Sequence, residues 1–112
     1  MKRFQLGEFE EIVLLTAGIL FGDAFALAIR QEIESRLKRK VSIGALHTAL
    51  LRLEEKGYLK SFFKEGDAIR AGRPSKYYEI TTLGLKALEY TQSTRNDLWK
   101  SIPKNLWNIK KA

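Results

Sequence analysis

The sequence predicts a mainly α-helical fold with one small β-hairpin, arranged as a winged helix-turn-helix followed by a C-terminal dimerisation helix. Three observations lead to this class. Apolar residues recur at helical spacing after a hydroxyl residue at Ser42. Two strand-like runs joined by a Gly- and Arg-containing loop come next, and a second long helical repeat follows Ile80. A helix followed directly by a hairpin is the order of a winged helix.

Length, composition and charge limit the class of protein. A chain of 112 residues is expected to form one domain with a real hydrophobic core. Its 45% hydrophobic and 29% charged residues are typical of globular proteins. A formal charge of +7 and a pI near 9.8 favour a polyanionic partner, either nucleic acid or an acidic membrane. The absence of cysteine excludes disulfides and thiolate metal sites.

The first helix is predicted over Glu8 to Phe21, with three carboxylates near its positive end. Its apolar side chains form more than one stripe, so more than one side of the helix should be covered. The residues concerned are Phe9, Ile12, Val13, Leu15, Thr16, Ile19 and Leu20. Since a monomer of this size has little to cover both sides, the pattern indicates a second chain.

A second helix is predicted from Ala24 to Leu37, with Gly22 and Asp23 ending the first helix and capping the second. Its expected inner face consists of Phe25, Ala28, Ile29, Ile33 and Leu37. Positive charge then accumulates at Arg36, Lys38, Arg39 and Lys40. In a helix-turn-helix the preceding helix crosses the nucleic-acid backbone, so Lys38 and Lys40 are candidate phosphate contacts. The alternative is a solvated helix end.

The third helix begins at Ser42, a good N-cap, and is expected to stop at Gly57. Its predicted core face is Ile43, Leu46, Leu50 and Leu53. The opposite face consists of Gly44, Ala45, His47, Thr48, Leu51, Arg52 and Glu55. Small residues at the N-terminus permit close approach to a phosphate, and the side chains of Thr48 and Arg52 can read base edges. The alternative is a solvated outer face.

Two strands are predicted at Tyr58 to Lys64 and at Lys76 to Ile80, because aromatic and polar residues mix there as in half-buried strands. Glycine, aspartate and proline mark the loop between them as a turn. The loop region clusters three cations, Arg70, Arg73 and Lys76. A turn needs no positive charge, so these residues are better explained by a polyanion than by folding, although a solubilising loop is the alternative.

The last helix is predicted from about Thr82 to Ser101, capped by Thr81 or Thr82 and ended by Pro103. Alternating spacings of four and three define a two-helix seam along it. The seam consists of Thr81, Leu85, Leu88, Gln92, Arg95, Trp99 and Ile102. A helix that projects beyond the winged core cannot bury such a seam alone, so we expect a homodimer.

The runs SIGALHTALLRLEEKGYL and GRPSKYYEITTLGLKALE resemble the winged helix-turn-helix of the PadR family of bacterial transcriptional regulators. The similarity extends from about Leu6 to Glu89, and the length resembles the short subgroup with one C-terminal helix. His47 stands where the family usually has a tyrosine that reaches DNA, Thr48 replaces a common proline, and Leu51 replaces a polar residue. The resemblance implies a sequence-specific repressor that binds a pseudo-palindromic operator in double-stranded DNA.

The expected divisions are therefore a DNA-binding winged helix-turn-helix over 1–81, a dimerisation helix over 82–102 and a basic tail over 103–112. The candidate DNA-binding residues are Lys38, Lys40, Ser42, Gly44, Ala45, His47, Thr48, Arg52, Arg70, Arg73 and Lys76. The alternative function is a winged-helix module for protein–protein interaction, for which the exposed Leu51 would be suited.

The same resemblance implies a small aromatic or lipophilic effector, bound at the dimer interface. Trp99 lies on the seam, so a two-fold axis near it would bring two indoles toward one cavity. The candidate dimer and effector residues are Phe9, Val13, Leu88, Gln92, Arg95 and Trp99. The alternative is that Trp99 only anchors the interface.

Catalysis is not expected. The chain has one histidine and no phosphate-binding glycine motif, so neither a cofactor nor a metal is predicted. Carboxylates interrupt any signal-like stretch at the N-terminus, and Val13 to Phe21 is too short to span a bilayer. A cytoplasmic protein without a membrane partner is expected.

Overall fold

The computed structural model describes residues 4–64 and 75–111. Within these two ranges, five helices and one hairpin follow in the order α1 Glu8–Ile19, α2 Ala26–Leu37, α3 Ile43–Glu55, β1 Leu59–Phe63, β2 Lys76–Ile80, α4 Thr82–Ser101 and α5 Lys104–Lys111. The predicted fold class, mainly α-helical with a small hairpin, is confirmed. Among the described residues no helix is both long and apolar enough to cross a membrane.

The hydrophobic core lies where α1 packs against α2, α3 and β2. The largest side chains that are fully buried are Val13, Leu14, Ile29, Ile33, Leu46, Leu50 and Leu53. On α3 the inward arc is centred on Leu46, Ala49, Leu50 and Leu53, at spacings of three and four residues. Ile43 was predicted in this face but is 47% exposed, because it lies in the first turn at the edge of that arc.

The connection between α1 and α2 differs from its prediction. The first helix ends at Ile19, and α2 begins at Ala26 with Phe25, not Asp23, as its N-cap residue. The reason is a contact with the hairpin: Phe25 forms a β-bridge with Tyr77, and the amide of Tyr78 donates to the carbonyl of Ala24 at 2.8 Å. Extended backbone at residues 24–25 therefore replaces the first predicted turn of the helix.

The hairpin is antiparallel, with Leu59 opposite Ile80, Ser61 opposite Tyr78 and Phe63 opposite Lys76. Its second strand leads straight into α4, where the hydroxyl of Thr81 accepts from the amide of Gly84 at 3.0 Å. Thr81 is thus the predicted cap of the last helix, and that helix ends at Ser101 before Pro103, as expected.

The C-terminal half of α4 projects from the core. Its buried residues are Gly84 and Ala87, both in the first two turns. The radius of gyration is 17.1 Å, whereas about 13 Å is usual for a compact chain of this length. Residues predicted only as a basic tail form α5, whose Trp107 ring stacks on Trp99 with centroids 4.9 Å apart. That stacking joins residues on two different helices, so helical spacing along the chain does not predict it.

Candidate nucleic-acid interface

The outward arc of α3 is exposed as predicted. Its exposed residues include Gly44, Ala45, His47, Thr48, Leu51, Arg52 and Glu55. The side-chain oxygen of Ser42 accepts from the amide of Ala45 at 3.1 Å, which fixes the start of the helix. The amides of Ile43 and Gly44, in the first turn, have no partner within an α-helix and point along its axis. The positive end of α3 is therefore free to meet an anion.

Gly44 is not required by packing within the protomer. A β-carbon added there would meet no described atom within 4 Å. Glycine in a helix costs up to about 1 kcal/mol relative to alanine. A small residue at this exposed position is consistent with the close approach of another molecule to the backbone.

The basic segment between α2 and α3 is held by two side chains that the sequence did not single out. The Nε of Arg30 donates to the carbonyl of Val41 at 3.0 Å, and the amide of Val41 donates to Oε2 of Glu34 at 2.8 Å. Val41 is 3% exposed, so both of its backbone groups are satisfied away from water. The opposite charges of Arg30 and Glu34 at i,i+4 spacing are visible in the sequence. Their hydrogen bonds to the backbone of Val41 are not.

The cations of this segment have different surroundings. Arg36 pairs with Glu32, and Arg39 pairs with Glu8 at 3.6 Å while lying over the Phe9 ring. Lys38 has a positive φ of 53° and ends α2, and Lys40 follows two residues later. Both lysines are exposed, and neither makes an ion pair with another described residue. Lys38 and Lys40 are thus available to a phosphate backbone.

Of the three candidate cations of the hairpin region, the structure describes only Lys76. Arg70 and Arg73 lie outside the described residues. Lys76 stands at the start of β2, where its Nζ is 3.4 Å from Oε1 of Glu54 on α3. Glu54 also accepts from the hydroxyl of Ser61 at 2.7 Å, so Lys76 takes part in a contact between the hairpin base and α3. At the other face of the hairpin Lys64 lies over the Tyr77 ring, a contact that the sequence did not indicate.

A carboxylate ties the start of α1 to the end of α3. Glu10 is 8% exposed, and its Oε1 accepts from Lys56 Nζ at 2.7 Å and from the Gly7 amide at 3.0 Å. Burial by itself raises the pKa of the Glu10 carboxyl, but these hydrogen bonds and the nearby charges of Lys56 and Arg52 outweigh it. The pKa of Glu10 therefore lies below its ordinary value, and the group is ionised at neutral pH.

The candidate dimer and effector residues do not form one surface. Val13 is fully buried in the protomer core, which corrects its prediction as a wall of an interface cavity. Leu88 packs against that core, and Arg95 pairs with Glu11 of the same chain at 2.9 Å. The half-buried Phe9 is covered by Arg39. Gln92 and Trp99 remain exposed, and Trp99 is 64% exposed even with Trp107 stacked on it.

Within the described ranges no group of three or more histidine, cysteine, aspartate or glutamate residues is placed to hold a metal ion.

Comparison with known proteins gives a consistent result. The model of the transcriptional regulator PadR-like family matches residues 16–90, more than half of the 112-residue chain. A PadR-like transcription factor from Bacteroides fragilis is similar in structure, with a TM-score of 0.69 and 25% identity over 84% of this chain and 85% of that one. A PadR family transcription regulator from hypervirulent Clostridium difficile gives 0.65 and 25% identity over 85% and 97%. A third, from Eggerthella lenta, gives 0.66 and 25% over 88% and 86%. Among curated proteins, none matches.

Proposed function

The chain belongs to the PadR-like family of transcriptional regulators, and we propose that it is a cytoplasmic repressor that binds a pseudo-palindromic operator as a homodimer. Two copies of α3, related by a two-fold axis, enter successive major grooves about 34–36 Å apart. Membership of the family implies regulation through DNA. The repressor role, the operator symmetry and the dimer are the proposed part.

One observation supports DNA reading by α3 above the others: its start combines free first-turn amides with a glycine that packing does not need. Both features favour phosphate binding at a helix N-terminus, since the amides donate to the anion and a small residue lets it approach the backbone. Further along the same face, Thr48 and Arg52 offer groups that hydrogen-bond to base edges. Lys38 and Lys40 flank this face and supply sequence-independent attraction.

Dimerisation is supported by apolar surface that the protomer leaves exposed on two helices. On α1 the exposed residues are Leu15 and Ile19, and on α4 they include Leu85 and Trp99. Burying such patches in a symmetric interface removes them from water and fixes the distance between the two copies of α3.

An aromatic or lipophilic effector is proposed at Trp99. Its indole already stacks on Trp107, so a planar ligand either extends that stack or displaces α5. Either event changes the surroundings of both indoles. Binding at Trp99 is tested by titrating planar aromatic compounds into wild type and into Trp107→Phe while tryptophan emission is followed. Unchanged emission with no release of DNA would leave Trp99 as an interface anchor.

A protein–protein interaction module is the second candidate function. Leu51 favours it, because a side chain that is 57% exposed in the middle of the proposed reading face suits a protein better than a phosphate.

Selection of bound sequences from a random duplex pool tests the proposal. We expect a recovered motif with two-fold symmetry and binding that falls steeply as salt rises. Recovery of no motif, together with binding that salt does not weaken, would favour the protein-interaction module.

A further inference from the structure

A groove of about 1030 Å³ lies between the N-terminal segment, α1, α3 and α4. Its α3 wall includes Gly44, Thr48 and Arg52, so one flank of the proposed reading face also lines the groove. At about 100° per residue, His47 and Leu51 lie on the other flank of α3. Small-molecule sites commonly measure roughly 300–1,000 Å³, so the groove is large enough for a ligand.

The apolar part of the groove is already formed in the protomer. The Phe4 ring lies between the rings of Tyr58 and Tyr90, with centroid distances of 6.4 Å and 5.7 Å. Lys56 Nζ donates to the carbonyl of Gln5 at 2.9 Å, which fastens the N-terminal segment to the end of α3. Binding there would not have to order this wall, so less conformational entropy is lost.

Of the three cations that line the groove, one has no ion-pair partner among the described residues. Lys56 is hydrogen-bonded to Glu10 at 2.7 Å, and Arg95 to Glu11 at 2.9 Å. Arg52, the third cation of the lining, is exposed and forms no ion pair with any residue in 4–64 or 75–109. A guanidinium presents a planar fork of donors that matches the two oxygens of a carboxylate.

We propose that this groove binds an amphipathic monocarboxylate, with its carboxylate on Arg52 and its apolar body between Phe4, Phe9, Tyr90 and Leu98. Tyr90 and Leu98 are eight residues apart on α4, or roughly 12 Å, which an extended chain of about ten carbons covers. Leu98 is among the most exposed large apolar side chains, so covering it contributes to affinity. The site lies within one protomer and differs from the aromatic surface of Trp99.

Occupation of the groove lowers DNA affinity, because the ligand engages Arg52 and covers the flank of Thr48. This part rests on the proposed function. By linkage, operator DNA weakens ligand binding by the same factor by which the ligand weakens operator binding. The carboxylate thereby acts on the reading helix itself, whereas an effector at Trp99 would act through the angle between subunits.

Calorimetric titration of the full chain without DNA tests the site, with decanoate below its micelle concentration as the probe and decanamide as the neutral match. We expect one decanoate per chain and binding that is about tenfold weaker for the amide and for Arg52→Gln. Arg36→Gln is the matched control, since it removes an exposed arginine from α2 and should leave binding unchanged. Equal binding of acid and amide, or no effect of Arg52→Gln, would overturn the proposal.

A groove-filling variant, Thr94→Trp, tests whether the groove is occupied by a ligand or by a second copy of the chain. We expect it to abolish decanoate binding and the release of labelled operator by decanoate, while sedimentation stays that of wild type. If Thr94→Trp instead converts a dimer into monomers, the groove belongs to the subunit interface and the proposal is wrong. Absence of any operator binding would refute the proposed function but leave the calorimetric result to decide the site.

Discussion

Gly84 and Tyr58 approach each other so closely that no side chain fits between them. A β-carbon built on Gly84 would lie 2.3 Å from the carbonyl oxygen of Tyr58, well inside van der Waals contact. The same carbonyl accepts from the amide of Thr81 at 3.0 Å, so it is held where it meets α4. The first turn of α4 therefore packs directly against the backbone of Tyr58, which follows the turn after α3.

Gly84→Ala is therefore expected to destabilise the protein by about 1–3 kcal/mol, because the backbone must move to admit the methyl group. Alanine ordinarily stabilises a helix relative to glycine by up to about 1 kcal/mol. The sign of the change in the free energy of unfolding, measured by denaturant titration, separates the two effects. A more stable variant would mean that α4 is not seated against Tyr58 in this way.

Gly44→Ala is expected to have the opposite effect on stability and to impair function. The added methyl meets open space, so the free energy of unfolding should rise by up to about 1 kcal/mol, while operator affinity falls because the backbone can no longer approach a phosphate. Gly18→Ala is the matched control, since its β-carbon also meets no described atom within 4 Å and it lies on α1. Equal operator affinity for wild type and Gly44→Ala would argue against contact at the start of α3.

Thr48→Ala and Lys40→Ala distinguish base reading from phosphate binding. Loss of a base contact at Thr48 should cost roughly 1–3 kcal/mol on the operator and relax the sequence preference. Loss of a phosphate contact at Lys40 should weaken all sequences alike and reduce the salt slope by about 1. Anisotropy titrations on operator and random duplexes at several salt concentrations measure both. Equal losses on the two duplexes for Thr48→Ala would refute base reading by this residue.

The contact between Glu10 and Lys56 predicts a stability that depends on pH. Because the folded pKa of Glu10 is lowered, its contribution is complete above the unfolded glutamate value of about 4.3 and is lost as the pH falls through the lower folded value. Thermal unfolding across this acidic range should therefore show a steeper loss for wild type than for Glu10→Gln. Glu55→Gln, a change at the exposed carboxylate next to Lys56 in the sequence, should retain the wild-type profile.

Ile19→Lys tests the proposed dimer. Ile19 ends α1 and is exposed in the protomer, so a charge there should weaken association without disturbing the core. We expect sedimentation to shift toward monomer while the helical circular dichroism signal is retained. Ile43→Lys serves as the control, since it replaces a similarly exposed apolar residue on α3, which is not part of the proposed interface. A wild-type chain that sediments as a folded monomer at micromolar concentration would refute the dimer.

Local features of the sequence determined the elements of this protein. Ser42 and Thr81 cap the predicted helices, Pro103 limits α4, and Leu46, Leu50 and Leu53 recur at helical spacing, so neighbours along the chain suffice to place them. The exposed face of α3 followed from the same periodicity. The motifs that indicated the PadR family belong to these local features, and the family match confirms them.

Only the tertiary structure decided what depends on residues distant in sequence. Phe25 is not part of α2 because it forms a β-bridge with Tyr77. Arg95 was predicted in the seam of α4, but its side chain pairs with Glu11 of α1. Val13 and Leu88, which periodicity could equally assign to an interface, are used by the protomer's own core. Helical spacing tells which residues share a face, but the partner of that face is set by packing, and only packing brings Arg52 and Leu98 to one groove.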